Sequence, residues 1–225
     1  MTIEDVTARI GEVGIVPVVR AASVTDAIRA VEGIASGGIP IVEITMTVPD
    51  AISVIHQVAS FFRGGLLVGA GTITTAEQAK LSIDAGAQFI VSPGLSLSVL
   101  SAAQACGVLA IPGALTPTEL MHAQENGAKL VKIFPCQNVG GPKYLRALKA
   151  PFPRAALIPT GGVNASNAAE FIAAGAFALG VGGELVNRAA LRDGNLAQIA
   201  EAARELVGAV QSARASALEN RGPAL

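Results

Sequence analysis

Pro117-Thr118-Glu119-Leu120-Met121-His122-Ala123-Gln124-Glu125-Asn126-Gly127-Ala128-Lys129-Leu130-Val131-Lys132-Ile133-Phe134-Pro135 is the stretch whose reading decides the fold. A helical segment, Pro117–Asn126, runs into Gly127, where a helix C-cap belongs. The run Leu130–Phe134 follows at once, apolar except for one lysine and of the length of a buried strand. Outward from here the same succession recurs. Apolar β-rich runs occupy Ile15–Val19, Ile39–Thr45, Leu66–Ala70, Phe89–Ser92, Leu109–Pro112, Ala156–Pro159 and Phe177–Val181. Amphipathic segments lie between them, among them Thr25–Ser36, Thr75–Ala85, Ser98–Cys106 and Asn167–Ala174, with Gly37-Gly38, Gly86, Gly107 and Gly175 at their ends. Strand then helix, eight times over, predicts an α/β fold of the (β/α)8 TIM barrel type. The competitor, a doubly wound open sheet, has fewer strands and a switch point. Thr2–Glu12 is expected as an extra N-terminal helix over the N-terminal mouth, and Asn187–Ala217 as the last helix or helix pair. No linker interrupts the pattern, so residues 1–225 are read as one domain, with 218–225 a frayed tail.

Composition narrows the function classes. The chain is 51% hydrophobic and 15% charged, which suits a sheet covered on both faces. A net charge of −1, with 4% aromatics and no tryptophan, offers neither a basic footprint nor stacking platforms, so nucleic acid is not an expected partner. No apolar run is long enough to suggest a membrane span. Met1-Thr2-Ile3-Glu4-Asp5 does not read as a secretory signal, and Cys106 and Cys136 form no metal-ligand or disulfide pattern. The expected compartment is the cytoplasm.

In a barrel, chemistry sits at the C-terminal ends of the strands. Lys132 lies in mid-strand between Val131 and Ile133. Burial disfavours the ammonium, and a free amine there attacks ketones to form Schiff bases. The alternative is a lysine that snorkels to the strand end or pairs with a carboxylate. On the second strand Ile41, Glu43 and Thr45 share one face, while Val42, Ile44 and Met46 share an apolar face turned to the helices. Glu43 is therefore expected inside, as a functional carboxylate or as half of a buried ion pair with Lys132 that fixes register.

The strand-end loops supply binding candidates. Gly69-Ala70-Gly71-Thr72 lets backbone approach a ligand, although Thr72 could simply cap a helix. Ser92-Pro93-Gly94 and Ile111-Pro112-Gly113 close two strands in the same style, or are merely turns. Pro159-Thr160-Gly161-Gly162 and Gly180-Val181-Gly182-Gly183 follow the last two strands, where barrels cradle phosphate. Glu184 comes next and would repel an anion unless it turns outward. Arg20 ends the first strand and could hold a carboxylate or phosphate. His56 and His122 fall within helices and receive no role.

Taken together, Val42-Glu43-Ile44-Thr45, Gly69-Ala70-Gly71-Thr72, Ser92-Pro93-Gly94, Val131-Lys132-Ile133-Phe134-Pro135 and Pro159-Thr160-Gly161-Gly162 carry a resemblance. From about Ile15 to about Val186 the chain resembles the class I aldolase family of 2-keto-3-deoxy-6-phosphogluconate (KDPG) aldolase and 4-hydroxy-2-oxoglutarate (KHG) aldolase. The resemblance implies a homotrimeric barrel acting on a small-molecule keto acid without a metal or a separate cofactor. Lys132 matches the Schiff-base lysine and Glu43 the general acid/base. Thr72, Pro93 and Thr160 match positions around the pyruvate moiety, and Gly161, Gly162, Gly182 and Gly183 match the phosphate loops. This chain has Thr47 where phosphogluconate enzymes carry arginine, and Gly183 where they carry serine. Both departures remove donors to an anion, and Arg20 could substitute in part, as in galactonate-type relatives. The reaction expected from the resemblance is reversible aldol cleavage of a 2-keto-4-hydroxy acid, 2-keto-3-deoxy-6-phosphogluconate to pyruvate and glyceraldehyde 3-phosphate, with 4-hydroxy-2-oxoglutarate or 2-keto-3-deoxy-6-phosphogalactonate as the alternative substrate. Its rivals are a phosphosugar isomerase or epimerase, which needs no buried lysine, and a non-catalytic barrel that binds a keto acid or sugar phosphate.

Overall fold

The computed structural model describes residues 1–219. In chain order its elements are α1 (Ile3–Val13), β1 (Ile15–Val19), α2 (Val24–Ser36), β2 (Ile41–Thr45), α3 (Ala51–Phe62), β3 (Leu67–Gly71), α4 (Ala76–Asp84), β4 (Phe89–Val91) and α5 (Leu97–Ala105). Then come β5 (Leu109–Ile111), β6 (Gly113–Ala114), α6 (Pro117–Glu125), β7 (Val131–Ile133), α7 (Gly141–Lys149), β8 (Leu157–Pro159), α8 (Ala168–Ala173), β9 (Leu179–Val181), α9 (Arg188–Arg192) and α10 (Leu196–Glu219). The alternation expected from the sequence is present, and the last segment is a helix pair. Residues 218 and 219, expected in a frayed tail, belong to α10, and the rest of that tail lies outside the described residues.

The strands form a curled parallel sheet in two sections, β5-β4-β3-β2-β1-β9 and β6-β7-β8. The fifth expected strand, Leu109–Pro112, ends at Ile111 as β5, and a further short strand, β6, follows Pro112. Proline has no N–H to give a neighbour, so the ladder breaks there. Its carbonyl still accepts from Lys132 N at 2.9 Å and keeps the two halves on one path. Strand starts lie one or two residues later than expected in several places. Pro40, for example, precedes β2 and contributes only its carbonyl, to Leu67 N at 2.9 Å.

Side-chain alternation sorts the apolar residues into two layers. Val42, Ile44, Val131 and Ile133 are buried against the helices, with Met46 packed beside them. Ile41, Leu67, Phe89, Ile111, Leu130 and Ile158 fill the inside of the curl. Each fully buried aliphatic side chain contributes about 1.5–3 kcal/mol. Val6 and Ile10 of α1 join the inner layer, so this helix covers the N-terminal end of the strands. Thr2 and Asp5 form a capping box that starts α1. Lys129 pairs with Glu4 of α1 at 2.7 Å, which takes it to the end opposite Lys132's loops. Among the described residues no helix is long and apolar enough to cross a membrane.

Candidate active site

All strand pairings are parallel, so the segments after β1, β2, β3, β4, β7, β8 and β9 open at one end. That geometry gathers Arg20, Thr47, Thr72, Pro93, Thr160, Gly161, Gly162, Gly182 and Gly183 at the same end of the sheet. Lys132 and Glu43 lie just below it. Glu43 sits in β2 opposite Val18 and Gly69, and Lys132 in β7 opposite Gly113 and Ile158. Their neighbours along the strands face the helices, so both side chains point inward. They are 2% and 4% exposed, respectively.

Lys132 Nζ lies 3.8 Å from Glu43 Oε1, near enough to attract and too far for a hydrogen bond. Glu43 Oε1 is buried and has no hydrogen-bond partner among the described residues. An unpartnered buried oxygen costs about 1–3 kcal/mol, and this one retains the capacity to accept a hydrogen bond. Lys132 Nζ also stands 5.4 Å from the centroid of the Phe134 ring. The amine thus has an apolar wall on one side and a vacant acceptor on the other. That pairing suits a nucleophile that must become neutral and a base that must take a substrate proton.

Two glycines that the sequence reading did not single out for this make the room. A Cβ added at Gly71 of β3 would lie 2.5 Å from Cδ of Glu43 and closer still to Oε1. One added at Gly180 of β9 would meet Cβ of Thr160 at 3.0 Å and its hydroxyl sooner. Glu43 and Thr160 thus each face a glycine of a neighbouring strand. The available signal was the glycine-rich character of strand ends, but the cross-strand partner depends on register.

Thr72 takes φ 59°, a left-handed conformation that a β-branched residue adopts only at a cost of about 1–3 kcal/mol. It does not cap α4, since Thr75 does so by accepting from Gln78 N. Thr160 is buried and bridges to Gly180. Its carbonyl accepts from Cys136 N at 2.9 Å, and that of Gly161 from Gln137 N at 3.2 Å, which ties the loop after β8 to the one after β7. Gly161 and Gly162 have φ 92° and 76°, so their backbone path requires glycine. The N–H groups of Gly162, Gly182 and Gly183 find no acceptor among the described residues. Glu184 turns outward, into a separate cavity of about 230 Å³ shared with Asn164, Ser166 and Glu205 of α10. It therefore does not occupy the glycine loops.

Arg20 and Thr47 border one cavity of about 800 Å³ at this end. Burial pushes the Cys136 thiol up to about 11, which leaves it unreactive near neutrality. His56 and His122 lie on α3 and α6, outside the strand-end loops. Among the described residues no group of three or more His, Cys, Asp and Glu side chains is placed to hold a metal ion.

Comparison with known proteins places this geometry in a family. The model of the KDPG and KHG aldolase family matches residues 6–202. The chain belongs to that aldolase family. The 2-dehydro-3-deoxy-phosphogluconate aldolase of Treponema pallidum (strain Nichols) is 38% identical over 164 residues, covering 72% of this chain and 76% of its own length. The KHG/KDPG aldolase of Escherichia coli (strain K12) is 34% identical over 193 residues, covering 86% of this chain and 90% of its own. Among solved structures, the KDPG aldolase of Legionella pneumophila, with pyruvate captured as a covalent carbinolamine, superposes with a TM-score of 0.83 at 31% identity. That match covers 89% of this aldolase-family chain and 97% of the Legionella chain. Membership decides for the aldolase over the isomerase or epimerase and the ligand sensor.

Proposed function

We propose that this protein is a class I aldolase that reversibly cleaves 2-keto-3-deoxy-6-phosphogluconate to pyruvate and glyceraldehyde 3-phosphate. Its second substrate of the same class is 4-hydroxy-2-oxoglutarate, cleaved to pyruvate and glyoxylate. The observation that carries the reading is the buried Lys132 amine 3.8 Å from an unpartnered Glu43 oxygen in a KDPG and KHG aldolase family member.

Lys132 Nζ, as the free amine, attacks the C2 ketone, and loss of water leaves an iminium. Glu43 takes the C4 hydroxyl proton, the C3–C4 bond breaks, and its electron pair flows to the iminium nitrogen. The aldehyde departs and an enamine remains. A proton returned to C3 restores the iminium, and water releases pyruvate and the free lysine. The substrate's C4 hydroxyl supplies the donor that Glu43 Oε1 lacks. Thr72, Pro93 and Thr160 line the pyruvate end, and the free N–H groups of Gly162, Gly182 and Gly183 serve the distal end. The only covalent partner in this scheme is the substrate itself, on Lys132.

The same reading takes residues 1–225 as one domain whose curled sheet closes into an eight-strand barrel. The Thr160–Gly180 bridge and the Phe177 N to Leu157 O bond at 2.8 Å support closure between β8 and β9. β5 and β6 count as one strand across Pro112. Exposed Phe61 and Leu81, on α3 and α4, support burial against further copies in a homotrimer. Two free cysteines support a cytoplasmic setting.

Incubation with pyruvate and borohydride, followed by intact mass and peptide mapping, is expected to place a reduced pyruvate adduct on Lys132. No adduct, or one on another lysine, refutes the assignment. Glu43→Gln is expected to lower kcat by about 10²–10⁴-fold while the pyruvate adduct still forms.

A further inference from the structure

We infer that Arg192, together with Arg20, reads the anionic group at the substrate's distal end, and so sets which aldehyde partner the enzyme accepts. The inference rests on the aldolase reading above and deepens it. Thr45 Oγ1 donates its one hydrogen to Val19 O at 3.0 Å. Thr45 and Thr47 hydroxyls stand 2.6 Å apart, so Thr47 must be the donor of that pair. Its hydroxyl hydrogen is spent on Thr45. The position where phosphogluconate-type enzymes carry arginine thus offers no cationic donor here.

The cations are supplied from elsewhere. Thr47 shares its cavity of about 800 Å³ with Arg20, Asp26 and Arg192. Arg20 follows β1, and Arg192 ends α9, the short helix that begins just after the Gly182-Gly183 loop. Asn187 starts that helix by accepting from Ala189 N and Ala190 N, which fixes the direction in which it leaves β9. Arg192 is exposed, and among the described residues its carboxylate contact is a marginal one, Nε to Asp193 Oδ1 at 3.4 Å. Among the same residues its remaining N–H groups have no acceptor and can fork onto a phosphate or carboxylate. Asp26 is the opposing charge within the cavity. The site is thus poised between two guanidinium groups that attract a distal anion and one carboxylate that weakens it. Sequence comparison at Thr47 alone would read this site as having lost its anion donors. The structure instead moves them to the first strand end and the α9 segment.

The test compares wild type, Arg192→Ala, Arg192→Glu and Asp26→Asn on three substrates. These are 2-keto-3-deoxy-6-phosphogluconate, unphosphorylated 2-keto-3-deoxygluconate, and 4-hydroxy-2-oxoglutarate. Arg192→Ala is expected to raise KM for the phosphorylated substrate about tenfold, and Arg192→Glu further, with kcat little changed. The unphosphorylated substrate should show no change, and Asp26→Asn should lower KM for the phosphorylated one. A parallel rise in KM for 4-hydroxy-2-oxoglutarate means that the pair reads carboxylates as well as phosphates, and no rise means that it reads phosphate. An unchanged KM for the phosphorylated substrate, or an equal change with all three, overturns the role of Arg192. Pyruvate lacks a distal anion, so its borohydride adduct on Lys132 should form in every variant. Its absence from the wild type would overturn the aldolase reading itself, whereas adduct formation with unaltered selectivity would overturn only the inference.

Discussion

At the scale of single residues, the site depends on what is absent as much as on what is present. Gly71 has an ordinary negative φ, so its missing side chain matters for space and not for backbone freedom. Gly71→Ala should leave the fold intact, displace the Glu43 carboxylate and lower kcat by about 10²-fold, a loss within the range of one misplaced acid/base. The pH profile of kcat should shift while the pyruvate adduct on Lys132 persists. Adding Glu43→Asp, which shortens the clashing side chain, should recover part of the rate. An alanine variant with wild-type kcat and pH profile would show that Glu43 tolerates a methyl there. Lys132 and Glu43 were legible in the sequence because each is a charge at an inward position of an otherwise apolar strand. Gly71, Gly180 and Arg192 were not. The glycines facing Glu43 and Thr160 depend on strand register, and the placement of Arg192 on the cavity of Arg20 depends on where α9 ends.

Among elements, helix starts followed local chemistry closely, and strand ends less so. Thr116 and Glu119 form a capping box at α6, with Pro117 in its first turn. Leu115 N–H and the Thr116 hydroxyl hold the Glu119 carboxyl below its ordinary value of 4.5. A lowered folded value means that this stabilisation is complete above the ordinary range and is lost as pH falls through the folded value. Thr116→Ala should cost about 1 kcal/mol in urea unfolding. The stability gap between wild type and Glu119→Gln should shrink as pH is taken from about 6 to about 3. A gap that widened on acidification would contradict the cap. α3 and α7 lack a side-chain cap at their start. α3 begins at Asp50 with no side-chain cap bond, and α7 begins at Gly140, which has no side chain to offer. The fifth strand stops at Pro112 as its turn residues imply, and the two-residue β6 beyond it is too short to leave a hydrophobic pattern of its own.

Across the whole molecule, the order of strand and helix was legible because it repeats, and each repeat must bury one face inward and one outward. Contacts between the chain's distant parts were not. Arg214 of α10 donates from Nη1 to Glu12 O at 2.8 Å, and from Nη2 to Gly11 O at 2.8 Å and Phe177 O at 3.2 Å. One guanidinium therefore fastens the last helix to the first and to the segment entering β9. Gly14 leaves it room, since a Cβ there would lie 2.6 Å from Cζ of Arg214. Arg214→Met should destabilise by about 2 kcal/mol and lower Tm by roughly 4–8 °C. Because this clasp lies at the end opposite the strand-end loops, kcat at moderate temperature should stay near wild type. A variant that loses activity without losing Tm would argue against a purely structural clasp.

The unpartnered oxygen of Glu43 also gives the protein its own vibrational probe. A carboxyl group with one oxygen unbonded and shielded from bulk water vibrates apart from the solvated acids that crowd the infrared spectrum. Its stretching band will stand clear in a difference spectrum against Glu43→Gln. When a substrate hydroxyl arrives, the band must move, because the oxygen acquires its first donor. Under the proposed mechanism, rapid-scan infrared spectroscopy on unlabelled enzyme would time the arrival of the C4 hydroxyl at Glu43 separately from the formation of the carbon–nitrogen bond on Lys132.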